Sequence, residues 1–200
     1  MDIILKGIEK RYHNGKSVLE YADYTFGTGI YVLKGSSGIG KSTLLNIISG
    51  YCMPSKGEVV RNGIRKIAYV MQDALLFTNL TIAENMMVMS PDNGNIELLK
   101  TKLWDLGLDE DVISKCPANL SGGQVKKTEL LLHTISNNFD ALLLDEPVSN
   151  LDDESICHVI KYIESIHNKI ILIASHINLQ FEKPNTILEI VKGELREKNG

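Results

Sequence analysis

Cysteine is scarce in this chain: Cys52, Cys116 and Cys157 are all there are in 200 residues. Their number is odd and no two stand in Cys-x-x-Cys spacing, which argues against both a disulfide framework and a cysteine zinc site. Free thiols in a reducing compartment fit that pattern. A surplus of positive charge is missing too. Lys and Arg total 21 against 25 Asp and Glu, a formal net charge of −4, and both signs are dispersed along the chain. Direct nucleic-acid binding, which ordinarily needs a basic face, is therefore not expected. No apolar run approaches the roughly 20 residues that span a bilayer. The longest, Ala141 to Leu144 and Ile170 to Ala174, have the length of buried parallel strands. Charge recurs throughout M-D-I-I-L-K-G-I-E-K-R at the N-terminus, so no signal-peptide apolar core is expected there. These absences predict a soluble protein whose membrane role, if it has one, runs through a partner. With 44% hydrophobic and 6% aromatic residues, the chain suits one domain with a real core and is too short for two full ones.

What is present alternates between strand and helix signals. Residues 2 to 33 hold short alternating runs (I-I-L-K-G-I, V-L-E-Y-A-D-Y-T-F) that suit an antiparallel sheet, ending in a strand from Ile30 to Leu33. Glycine-rich residues 35 to 40 lead into a helix from about Lys41 to Ser49, stopped by Gly50. Glu58 to Arg61 and Lys66 to Val70 read as a hairpin about Asn62-Gly63. From about 75 to 135 the pattern turns helical, with I-A-E-N-M-M-V-M and I-E-L-L-K-T-K-L-W-D-L at helical spacing. A strand at 141–145, a helix at 152–167, a strand at 170–174 and a closing pair near 186–191 and 194–197 follow. The expected fold is α/β: a P-loop NTPase core with an N-terminal antiparallel β subdomain and an inserted helical subdomain, all within one domain of 1–200.

Three motifs carry chemistry. Gly35-Ser36-Ser37-Gly38-Ile39-Gly40-Lys41-Ser42 fits G-x-x-x-x-G-K-[ST] between a strand and a helix, the context that motif needs. Glycines let successive backbone N–H groups point inward at phosphate oxygens, and the helix N-terminus adds a favourable dipole. Lys41 is placed to reach the β- and γ-phosphates and Ser42 to ligate Mg²⁺, with Thr43 next in line as a nucleotide contact. Leu142-Leu143-Leu144-Asp145-Glu146 is an apolar strand ending in two carboxylates. At such an edge Asp145 serves Mg²⁺ and Glu146 the attacking water, as general base or as its positioner. His176 stands at a comparable strand end, where an imidazole can contact a γ-phosphate, whereas His13, His133, His158 and His167 read as surface residues. Gln72, closing a strand from Ile67 to Met71, offers an amide to both Mg²⁺ and the water, and Tyr12 offers an aromatic face to a base. The third motif is Leu120-Ser121-Gly122-Gly123-Gln124. It lies between the other two, and opening a helix it presents a hydroxyl, backbone N–H groups and a dipole to phosphate.

In that order, these residues resemble the nucleotide-binding subunits of ABC (ATP-binding cassette) ATPases. Tyr12 matches the aromatic position, 35–42 Walker A, Gln72 the Q-loop, 120–124 the signature, 142–146 Walker B, Ser149-Asn150-Leu151-Asp152 the D-loop and His176 the switch histidine. The resemblance covers nearly the whole chain. It implies an ATPase using ATP and Mg²⁺ in a head-to-tail homodimer that sandwiches two nucleotides. Walker A of one subunit then faces Ser121, Gly122, Gly123 and Gln124 of the other, and Asp152 joins the two sites. Two departures stand out. Lys127 occupies a position where the family has Arg, and Val148 follows the Walker B proline in place of Thr.

The resemblance leaves two classes. One is the motor subunit of a membrane transporter, bound to a polytopic permease and so held at the cytoplasmic face of the cell membrane. Leu75, Leu76, Phe77, Leu80, Met86 and Met87 follow Gln72 and suit a groove for such a partner, or the core of the helical insertion. The other is a soluble ABC ATPase of assembly or repair machinery, whose usual long coiled coil or second cassette is absent here. The transporter is favoured. The compact length and Asn150-Leu151-Asp152 resemble the lipoprotein, macrolide and antimicrobial-peptide group, which implies export of peptide, lipid or drug.

Overall fold

The computed structural model describes residues 1–12, 15, 17–89 and 95–198. The chain divides into two compact units. The first comprises Met1–Tyr69, Phe139–Glu146 and Asn168–Gly200, and the second Val70–Asn138 and Pro147–His167.

A nine-stranded sheet dominates the first unit. Its strands are β1 (Asp2–Arg11), β2 (Ser17–Phe26), β3 (Gly29–Lys34), β4 (Lys56–Asn62), β5 (Ile67–Val70), β6 (Ala141–Asp145), β7 (Ile170–Ser175), β8 (Asn185–Val191) and β9 (Glu194–Glu197). Their spatial order is β4-β1-β2-β9-β8-β3-β7-β6-β5. β1 pairs antiparallel with β2, as the alternating N-terminal pattern predicts, and also with β4. β3 differs from expectation: it runs parallel to both β7 and β8 and so belongs to the central parallel set. Every residue of β6 and β7 is buried, which explains why both read as unbroken apolar runs. α1 (Lys41–Ser49) packs on these two strands through Leu44, Leu45, Ile47 and Ile48. Its C-terminal carbonyls are capped from another element. The Arg61 guanidinium of β4 donates to Ile48 O at 2.7 and 3.0 Å and to Ile47 O at 3.3 Å.

The expected hairpin about Asn62-Gly63 does not form. β4 and β5 lie at opposite ends of the sheet. After the turn, the Asp140 carboxylate accepts hydrogen bonds from the backbone N–H groups of Arg65 and Lys66 at 2.7 and 3.0 Å. Those two bonds hold its pKa below the usual aspartate range. Asp140 immediately precedes β6, so this clamp delivers β5 to the edge of β6 instead of to β4.

The second unit is helical, with α2 (Ile82–Met89), α3 (Ile96–Asp105), α4 (Gly122–Thr134), α5 (Asp153–Glu164) and two short 3-10 turns. It takes in the region expected as an insertion and also α5. Leu99, Leu103, Leu130 and Leu131 are among its core residues. Fully buried Asn85 organises the segment before α2, its amide donating to the carbonyls of Phe77, Leu80 and Thr81 while its oxygen accepts from Phe77 N–H. The apolar residues after Gln72 divide: Leu76 and Met86 are core, whereas Leu75, Phe77 and Met87 are exposed. Of the remaining histidines His167 is exposed, His133 and His158 are half-buried, and His13 lies outside the described residues. No helix of the described residues is long and apolar enough to cross a membrane.

Candidate active site

In the first unit, the phosphate-loop motif forms a turn leading from β3 into α1. Gly40 is required at the helix start. Its φ of 119° is unsuited to an L side chain, and a Cβ there would lie 2.7 Å from Val18 Cγ1. Lys41 is the first helical residue and only 5% exposed. Its ammonium donates to the carbonyls of Gly35 at 2.6 Å and Ser36 at 3.2 Å, so the loop curls over its own lysine. Ser42 and Thr43 follow in the first turn, and the Tyr12 hydroxyl lies 3.2 Å from Thr43 Oγ1. That contact brings a half-exposed aromatic ring beside the loop, with the Lys10 ammonium 5.3 Å from the ring centroid.

β6 ends at Asp145, which is buried, and Glu146 follows it. Burial and the Asp145 charge push the Tyr69 hydroxyl pKa well up, and that hydroxyl donates to Asn46 Oδ1 on α1. Glu146 has φ 50°, a left-handed conformation that costs a residue with a Cβ on the order of 1 kcal/mol. The bend turns its carboxylate toward an ammonium and an imidazole. Oε1 lies 3.4 Å from Lys41 Nζ, and Oε2 lies 2.7 Å from His176 Nδ1 and accepts from His176 N–H at 3.3 Å. Lys41, Glu146 and His176, far apart in sequence, thus form one contact chain. Glu146 is 8% exposed and His176 is exposed. The cluster has a carboxylate able to receive a proton, an imidazole that orients it and an ammonium for phosphate.

The other predicted residues lie in the second unit. Gln72 is exposed, just past the end of β5. Ser121 is the N-cap of α4 and forms a capping box with Gln124: Gln124 N–H donates to Ser121 Oγ at 3.2 Å and Ser121 N–H to Gln124 Oε1 at 2.9 Å. α4 therefore begins at Gly122, inside the motif, as expected of a motif that opens a helix. The Ser121 hydroxyl accepts within the box and keeps its proton to donate outward. Ser-x-x-Gln is itself a legible capping signal, but the sequence reading passed over it. Asp152 plays the matching part for α5, accepting from Ser155 N–H at 2.8 Å.

One residue that the sequence reading missed is Glu129 on α4. It is 1% exposed, accepts from Leu75 N–H at 2.8 Å, and has its pKa raised chiefly by burial. A raised acid pKa means its contribution to stability is fully present below the ordinary glutamate value of about 4.3 and is lost as pH rises through the folded value. Glu129→Gln keeps the acceptor for Leu75 and removes the charge. Urea titrations should show the variant more stable at pH 8 by on the order of 1 kcal/mol, with the difference vanishing near pH 4. Equal stability at pH 8 would show that the buried charge is fully compensated.

Residues 24–149 match the ABC transporter family model. The chain belongs to the ABC transporter family. Within it, this is the ATP-binding ATPase cassette, with the α/β fold expected of one. It is 33% identical over 189 residues to the lipoprotein-releasing system ATP-binding protein LolD 1 of Caulobacter vibrioides, covering 82% of this chain and 80% of that protein. It is 34% identical over 178 residues to the sulfate/thiosulfate import ATP-binding protein CysA of Anthoceros angustus, covering 82% and 46%. Among solved structures, a dimeric bacterial ABC transporter cassette superposes with a TM-score of 0.84 at 26% identity, covering 98% of this chain and 97% of that one.

Proposed function

We propose that this ABC cassette is the ATP-hydrolysing motor subunit of a membrane transporter, working as a head-to-tail pair of identical copies. The observation that carries this reading is the presence in one chain of two unlike groups suited to phosphate: the Lys41–Glu146–His176 cluster and the Ser121-capped start of α4. In this reading each nucleotide is held by one of these groups from each of two copies. The dimeric cassette with a similar fold supports that arrangement. In it Lys41 leaves the Gly35 and Ser36 carbonyls for the phosphates, Glu146 accepts the proton of the attacking water, and His176 orients Glu146. Tyr12 offers its ring to the adenine, and Gln72 the water a second hydrogen-bond partner.

Ser42, Asp145 and Gln72 offer hydroxyl, carboxylate and amide oxygens, hard donors that fit Mg²⁺. These three residues would hold Mg²⁺, which would supply positive charge to offset the negative charge developing on the phosphates.

The membrane half of the proposal rests on the exposed Leu75, Phe77 and Met87 in the segment that follows Gln72. They suit an apolar element of a polytopic permease, which would hold this chain at the cytoplasmic face of the membrane. Cargo and direction belong to that permease. The matched relatives, one named for lipoprotein release and one for import, support this division of labour. Expressed in its own cells, the chain should sediment with membranes. The double variant Phe77→Asp, Met87→Asp should shift to the supernatant, while hydrolysis by the purified chain stays within about twofold, as for surface changes away from a site. A wild-type chain that never accompanies membranes would overturn the transporter reading and leave the ATPase.

A further inference from the structure

Two consecutive lysines of α4 reach toward the segment that precedes α5. Lys126 Nζ donates to Ser149 Oγ. Lys127, 6% exposed, donates to Ser155 Oγ at 3.3 Å and Gly107 O at 3.5 Å. Ser155 in turn serves Asp152, its N–H on Oδ1 at 2.8 Å and its hydroxyl on Oδ2 at 3.2 Å. One turn earlier, a Cβ on Gly123 would lie 2.9 Å from Leu151 Cδ2. Positions 123, 126 and 127 are three and four residues apart, one face of a helix. That face carries Ser149, Leu151 and, through Ser155, Asp152. Ser121, Gly122, Lys126, Asn150 and Asp152 also line a common cavity of about 410 Å³.

We propose that Lys126 and Lys127 are positioning residues that dock the Ser149–Asp152 loop onto α4, so that Ser121–Gly123 and Asp152 meet the second copy as one preset surface. This rests on the paired-copy reading above. Burial pushes the Lys127 pKa down, with the charges of Asp152 and Glu154 opposing the shift, and the Ser155 N–H holds the Asp152 carboxylate below its usual range. A desolvated ammonium must use its donors or bear the cost of burial, so its position is narrowly fixed. With either tether cut, the monomer keeps its phosphate loop and still binds ATP. What it loses is the fixed spacing between its signature and its Asp152, so the closed pair forms with one of the two misplaced.

The test compares Lys126→Met, Lys127→Met, Lys127→Arg and Ser155→Ala in steady-state hydrolysis and in ATP binding by the monomer. Lys126→Met and Lys127→Met should each lower kcat ten- to a hundredfold, roughly the loss that follows an ångström-scale displacement in a site. KM and monomer affinity should stay within about twofold, since ground-state contacts to the nucleotide are untouched. Lys127→Arg should restore most of kcat by keeping charge and donors. Ser155→Ala should reproduce the Lys127→Met loss and add little to it in the double variant. Unchanged kcat in Lys126→Met and Ser155→Ala, or monomer affinity lost in step with kcat, or no rescue by Lys127→Arg, would overturn the inference. Ser121→Arg separates its failure from that of the parent reading. It should stop hydrolysis while sparing ATP binding by the monomer, and normal turnover in that variant would overturn both.

Discussion

Glu146→Gln is expected to abolish steady turnover and to trap the chain as an ATP-bound dimer. Glutamine keeps the length of the side chain and an oxygen for His176, whose N–H lies 3.3 Å from Oε2, but it cannot take a proton from water. Loss of a general base typically costs 10²–10⁴-fold, and the roughly hundredfold end of that range already separates binding from hydrolysis in a single-turnover assay. A second consequence comes from the 3.4 Å ion pair with Lys41. Without the carboxylate, Lys41 is held in the loop only by carbonyls, so ATP no longer competes with an anion and should bind at least as tightly as in the wild type. Sedimentation at saturating MgATP should show a dimer that decays when the nucleotide is washed out. A monomer under those conditions would count against the shared site, and turnover within about tenfold of the wild type would remove Glu146 as the base.

Lys41→Ala should lose ATP binding and, separately, stability. Two charge-assisted phosphate contacts at about 1.5 kcal/mol each correspond to somewhat more than a hundredfold in affinity. The stability loss has a different origin. Glu146 is nearly buried, and the variant leaves it with the imidazole of His176 in place of a full ammonium. Removing one partner of a buried pair costs about 3 kcal/mol, a displacement that urea unfolding resolves easily. Combining Lys41→Ala with Glu146→Gln removes the stranded charge, so stability should recover while ATP binding does not. Additive stability losses in the double variant would show that the two side chains are energetically independent, and undiminished turnover in Lys41→Ala would take the phosphate loop out of the mechanism.

Much of the candidate site's geometry was legible in the sequence because a phosphate-loop turn constrains backbone as well as side chains. A glycine that admits no Cβ, a lysine opening a helix and carboxylates at the end of an apolar strand leave a fixed spacing that survives in the order of residues. The buried strands 141–145 and 170–175 were legible for a related reason, since burial of every residue writes itself as an apolar run. What escaped depends on partners distant in sequence. Asn62-Gly63 is a strong local turn signal, but strand pairing was decided by Asp140, some 75 positions from the N–H groups it captures. The parallel pairing of β3 with β7 likewise joins Gly29 to Ile170, a choice that no local pattern records. Lys126 and Glu129 belong with these, because their partners Ser149 and Leu75 lie 23 and 54 positions away.

Arg61 extends the reach of the phosphate site beyond its own loop. α1 has no acidic residue in its first turn and no basic residue in its last, so the counter-charge to its backbone dipole at the C-terminus comes from another element. The guanidinium on β4 sits on the negative pole of that helix. Nine residues at 1.5 Å rise place it roughly 13 Å from the loop, beyond the roughly 10 Å over which exposed charges act at 0.1 M salt, so its effect on the loop is mechanical before it is electrostatic. A helix that opens at the phosphate loop is therefore pinned at its far end by a strand at the edge of the sheet, so loosening Arg61 would loosen the footing on which Lys41 stands.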